Sequence, residues 1–118
     1  MTRLFHATSE AAARNIARDG ELCPGRAGFL GGAIYFSRSP HAACRKCRCG
    51  VAEVIIECEV DLGHLLEVEQ HSAQIEDVLA MGYDSAVVIG LDVFAVLDPE
   101  RVQILSYHDA DDVSELEG

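Results

Sequence analysis

The chain has 118 residues, 49% of them hydrophobic, with 20 acidic against 9 basic side chains and a formal net charge of −11. That length closes one core, burying about 65% of the surface the unfolded chain exposes, and the charge argues against general binding to nucleic acid or to an anionic membrane surface. No apolar run reaches the length of a signal peptide or a membrane span, so the expectation is a soluble, intracellular, cytoplasmic protein.

Residues 3–6 read as a short strand, and Ser9 is placed to cap a helix whose small apolar face is Ala12, Ala13, Ile16 and Ala17. Gly20 ends that helix, and the Cys-Pro-Gly-Arg-Ala-Gly run that follows favours an irregular loop. Residues 33–37 read as a strand with Ile34 and Phe36 on one face and Tyr35 on the other. Ser39-Pro40 is a helix start, predicting a short helix to Cys47. Residues 51–60 alternate, Val54, Ile56, Cys58 and Val60 against Glu53, Glu57 and Glu59, as a half-solvated strand does. Residues 62–68 are expected to pair beside it. A helix over 73–81 with Ile75, Val78 and Leu79 inward stops at Gly82, and three strands follow at 85–89, 92–97 and 102–107. The division expected is one domain over 1–108 and an acidic, disordered tail over 109–118. This order of elements is an α+β pattern.

Leu4-Phe5-His6-Ala7-Thr8, the Gly-rich loop, Gly32-Ala33-Ile34-Tyr35-Phe36-Ser37, Gly82-Tyr83-Asp84-Ser85 and Asp98-Pro99-Glu100-Arg101-Val102 occur in one order along the chain. Together they resemble the catalytic domain of the poly(ADP-ribose) polymerase family, above all its compact single-domain members, over residues 3 to about 107. The resemblance implies an ADP-ribosyltransferase fold, two small packed β-sheets with short flanking helices, and an NAD cleft. It implies that His6 bonds a ribose hydroxyl and that Tyr35 stacks on the nicotinamide ring, work suited to an aromatic face. It further implies that the backbone of Ala7, where the family usually has glycine, pairs with the nicotinamide amide. Val93 falls where polymer-forming members carry glutamate, so the third catalytic position is aliphatic, with Asp92 one residue away on the opposite side of the strand. Ala43 falls where a serine is common and Lys46 where a second tyrosine often stacks. Thr8, Ser9, Gly32 and Arg26 are the expected partners of the remaining dinucleotide, its phosphates and adenosine ribose.

The implied activity is mono-ADP-ribosyl transfer from NAD to a protein nucleophile or water with release of nicotinamide. Polymer synthesis lacks its carboxylate. Two other readings stand beside it: an NAD- or ADP-ribose-binding module without turnover, and a zinc-stabilised interaction module. The last rests on Cys44, Cys47 and Cys49, with Cys23, His41 or His71 as a fourth ligand. Five cysteines, three of them within residues 44–49, are otherwise read as reduced thiols, with Cys58 in the core.

Overall fold

The computed structural model describes residues 1–25, 28–47, 51–69 and 73–113. Strand β1 (Thr2–Thr8) leads into helix α1 (Glu10–Asp19). The Ser9 hydroxyl accepts from the Ala12 amide at 3.2 Å, and Gly20, in the left-handed region at φ 78°, closes the helix. The loop that follows ends in β2 (Ile34–Phe36), and α2 (Pro40–Arg45) starts on the Ser39 hydroxyl, which accepts from Ala42 at 3.0 Å. Then come β3 (Val54–Val60), β4 (Leu65–Val68), α3 (Ile75–Ala80), β5 (Ser85–Val88), β6 (Val93–Val96), a 3₁₀ turn at Pro99–Arg101, β7 (Val102–Asp109) and a second 3₁₀ turn at Ala110–Asp112. Among the described residues no helix is long and apolar enough to cross a membrane.

The strands form two sheets, ordered β1-β3-β7 and β2-β6-β5-β4, so the α+β expectation of two small sheets with few helices holds. The first sheet is antiparallel throughout; in the second only β4 and β5 run parallel. That corrects the expected pairing of residues 62–68 with 51–60. Helix α3 carries the chain from β4 back to β5 in the same direction, a crossover that parallel neighbours require, and β3 is flanked by β1 and β7 instead.

Packing follows from which faces are covered. Leu4, Ile34, Phe36, Ile56, Cys58, Val60, Phe94 and Val96 interdigitate between the sheets, with Leu22 sealing one side. On the far face of the second sheet, Val68, Ala86, Val88, Val93 and Ala95 pack under Ile75 and Val78 of α3 and against Leu30. Strand β6 is therefore buried on both faces, and Leu79 is only partly covered. A third cluster, Phe5, Ala43 and Ile55, lies on the outer face of the first sheet beneath α2, with Ala110 and Val113 against it. Ordered chain thus continues past the expected boundary at 108, through the end of β7 and the turn after it, to Val113; residues 114–118 lie outside the described residues.

Helix α1 departs most from its expected packing. Only Ala13 is buried, while Ala12 and Ile16 are half-exposed and Ala17 is exposed. Ala12 and Ile16 of the face read as core line a cavity instead.

Candidate functional site

The two sheets meet at a corner. Phe5 N–H donates to Ser37 O at 2.8 Å and Ser37 N–H to Phe5 O at 2.9 Å, pinning β1 to the residue after β2. One step beyond, His6 Nδ1 lies 2.7 Å from Tyr35 O. The carbonyl can only accept, so Nδ1 carries the proton and Nε2 of the neutral ring is left as an acceptor. Burial lowers the His6 pKa more than this hydrogen bond raises it, keeping the ring neutral at pH 7. Its edge meets the Phe36 ring at a centroid distance of 5.9 Å.

Amide groups of a strand alternate in direction, so Ala7, two residues after Phe5, turns its N–H and C=O away from β3 and along the same edge that bridges to Ser37. Ala7 O is 3.4 Å from Cys47 Sγ. Tyr35 is fixed from the opposite end of its ring: the hydroxyl accepts from Leu30 N–H at 2.8 Å and donates to Gly31 O. Phe29 meets it edge-on at 6.1 Å. Gly28 packs directly on the ring, and a Cβ there would overlap it.

These groups border a cavity of about 530 Å³, within the roughly 300–1,000 Å³ span of small-molecule sites. Its wall includes His6, Ala7 and Thr8 of β1, Tyr35 of β2, Ala43 of α2, Lys46 just after it, and Val93 of β6. Most of the residues that the family resemblance singled out are thus brought together. Two are not. Ser9 spends its hydroxyl on capping α1, and Gly32 lies in the bend before β2 and outside the wall. Arg26 is outside the described residues. Asp92 is turned away as well: at φ 52° its carboxylate accepts from the Arg38 amide at 3.2 and 3.1 Å, which fixes Val93 as the β6 residue at the cavity.

The rest of the wall went unread in the sequence. Ala12, Asn15, Ile16 and Asp19 of α1, then Glu21, Leu22, Cys23 and Gly25, face the same space. Spacings of three and four put the four α1 residues on one stripe, and the mixed polarity of that stripe was the available signal.

The other two motifs of the resemblance converge elsewhere. Asp84 accepts from His64 N–H at 2.8 Å and pairs with Arg101 at 2.9 Å. Arg101 also reaches the Asp61 carbonyl at 3.2 Å, and the Ser85 hydroxyl donates to Leu62 O at 2.6 Å. Gly82-Tyr83-Asp84-Ser85 and the Asp98–Val102 run therefore build a structural clasp, and none of these residues lines the cavity.

Of the cysteines, Cys58 is fully buried and its thiol is pushed up to about 12 by burial, with the Glu57 charge adding to it. Cys23 is an exposed thiol outside any disulfide, and Cys44 is a half-buried one likewise not disulfide-bonded. Cys47 is disulfide-bonded, against the expectation of reduced thiols throughout; Cys49 and His71 lie outside the described residues. Among the described residues no group of three or more His, Cys, Asp or Glu side chains is placed to hold a metal ion.

No protein-family model matches the chain, and no curated protein matches it.

Proposed function

We propose that the protein is an NAD-dependent mono-ADP-ribosyltransferase of the poly(ADP-ribose) polymerase type, taking NAD into this cavity and passing one ADP-ribose unit to a protein nucleophile or to water. The observation that carries the reading is convergence. His6, Ala7, Thr8, Tyr35, Ala43, Lys46 and Val93 stand far apart in sequence and share one cavity wall.

The chemistry of the wall fits the dinucleotide. His6 Nε2 is an acceptor suited to a ribose hydroxyl, and neutral His6 adds no charge to oppose the positive charge that develops on the ribose as nicotinamide leaves. The main-chain edge at Ala7 offers one donor and one acceptor, the complement of a carboxamide. Tyr35 supplies ring area on a wall that also carries Phe29, Ala33 and Val93. Val93 holds no proton and accepts no hydrogen bond, so it cannot polarise an acceptor hydroxyl; this favours an acceptor that is itself a good nucleophile and disfavours chain elongation.

Incubation of the folded protein with labelled NAD tests the reading. The expected outcome is nicotinamide release with either labelled protein or free ADP-ribose; no release contradicts it. Val93 also favours a second reading, a module that binds NAD or ADP-ribose without turnover, and saturable binding with no nicotinamide release selects that one.

A further inference from the structure

Resting on the NAD reading above, we infer that the Cys47 disulfide is a redox gate on the main-chain edge of the cavity. Oxidised, it leaves the Ala7 carbonyl open to the carboxamide of NAD; reduced, the Cys47 thiol takes that carbonyl for itself. Cys47 is disulfide-bonded and stands two residues past α2, the helix that packs across β1. Its Sγ lies 3.4 Å from Ala7 O, and both residues line the cavity. The sulfur and a ligand therefore meet the same carbonyl.

The two oxidation states present different atoms to that carbonyl. A disulfide sulfur carries no hydrogen, so at this contact Ala7 O keeps its capacity to accept from a ligand N–H. A thiol is a donor, though a weak one, and at this separation its S–H reaches Ala7 O. A dithiol reductant converts the first state into the second. The S–S bond breaks, two electrons and two protons pass from the dithiol, Cys47 and its partner cysteine each become S–H, and the dithiol closes into its own disulfide. Cys23, which also lines the cavity, is not disulfide-bonded, nor are Cys44 and Cys58, so the reagent leaves these three as they are.

The gate acts on one end of the ligand. Ala7 offers the donor and acceptor that complement a carboxamide, whereas ADP-ribose has no nicotinamide and makes no demand on that edge. Reduction thus weakens the binding of NAD and spares that of ADP-ribose, the product of its hydrolysis. A bridge that only braced the end of α2 would affect both nucleotides alike.

The test is calorimetric titration of the full chain with NAD and with ADP-ribose, before and after treatment with a dithiol. Thiol counting in denaturant is expected to give three before treatment and five after it, the five cysteines of the chain without and with the bridged pair. NAD affinity is expected to fall at least about threefold on reduction, the scale of one weak hydrogen bond, with ADP-ribose affinity unchanged. Cys47→Ala can neither bridge nor donate, so it should bind NAD at least about threefold more tightly than the reduced wild type and ignore the dithiol. Circular dichroism and melting establish that each form is folded. A count of five thiols before treatment, equal NAD affinity in the two states, an equal fall for ADP-ribose, or Cys47→Ala binding as weakly as the reduced wild type overturns this inference alone. A reduced wild type or a Cys47→Ala variant that no longer folds does the same, because the bridge is then a brace. Failure of the folded, oxidised wild type to bind NAD overturns the NAD reading and this inference with it.

Discussion

The His6–Tyr35 corner and the Asp84–Arg101 clasp are built alike, each from sequence-distant polar groups drawn together, yet they differ in what remains after folding. At the clasp, Asp84 is engaged by His64 and Arg101, Arg101 by Asp84 and Asp61, and Ser85 by Leu62. At the corner, His6 satisfies the Tyr35 carbonyl through Nδ1 and keeps Nε2 as an acceptor beside a cavity. Polar groups consumed by one another hold a fold; a fixed group with bonding capacity aimed into a cavity can act on a ligand. Both motifs entered through the same resemblance, and only geometry separates their roles.

The comparison breaks if variants at the two regions behave alike. The largest expected effect is at Gly28→Ala, where the new methyl must displace the Tyr35 ring; overpacking of this kind costs about 2 kcal/mol. Denaturant unfolding should show that loss, and NAD affinity should fall at least about tenfold, since the displaced ring is the proposed stacking surface. Ser85→Ala comes next. It strands the Leu62 carbonyl beside a fully buried position, costing about 1–2 kcal/mol, while NAD affinity at a temperature where the variant is folded should stay unchanged. Tyr35→Phe should cost about 1 kcal/mol through its two lost hydrogen bonds to Leu30 and Gly31, with a smaller loss of NAD affinity than Gly28→Ala because the ring remains.

The smallest expected effect lies on the outer face of the first sheet. Glu57 accepts from His108 and Ser106 and pairs with Arg3 at 3.2 Å. The His108 hydrogen bond is the main cause of its lowered pKa, against a partial opposing effect of burial. A carboxylate depressed in the folded state stabilises above its unfolded pKa, and that contribution is lost as pH falls through the folded value. Acid unfolding followed by fluorescence or circular dichroism should therefore begin at higher pH in His108→Ala. An unshifted acid limb removes Glu57 from the account, and altered NAD affinity in this variant blurs the distinction between cavity and scaffold.

Much of the scaffold was legible because its signals are local. Ser9, Gly20 and Ser39-Pro40 set helix ends through bonds to their own neighbours, and the structure reproduces those ends. Alternation reveals the strands, but it reports period and not partner, so it does not show that residues 65–68 pair with β5 and not with β3; α3, which dictates the parallel return, is itself legible. Ile55 stood on the polar face of its strand by alternation, yet Phe5 and Ala43 bury it there, a packing that depends on α2 crossing that face. The α1 stripe shows the same limit. Ala12 and Ile16 look like core residues in sequence, and only the tertiary arrangement reveals that, with Asn15 and Asp19, they wall a cavity.

His6 and Tyr35 were visible through the resemblance, whereas the tautomer that leaves Nε2 open depends on a carbonyl 29 residues away. Calorimetry of the wild type and His6→Ala with NAD tests that central assignment most directly. The expected result is saturable one-to-one binding that weakens at least about tenfold in the variant, with a stability loss of only about 1 kcal/mol from the lost hydrogen bond to Tyr35 O. Absence of binding by the folded wild type, or equal affinity in the variant, would contradict it.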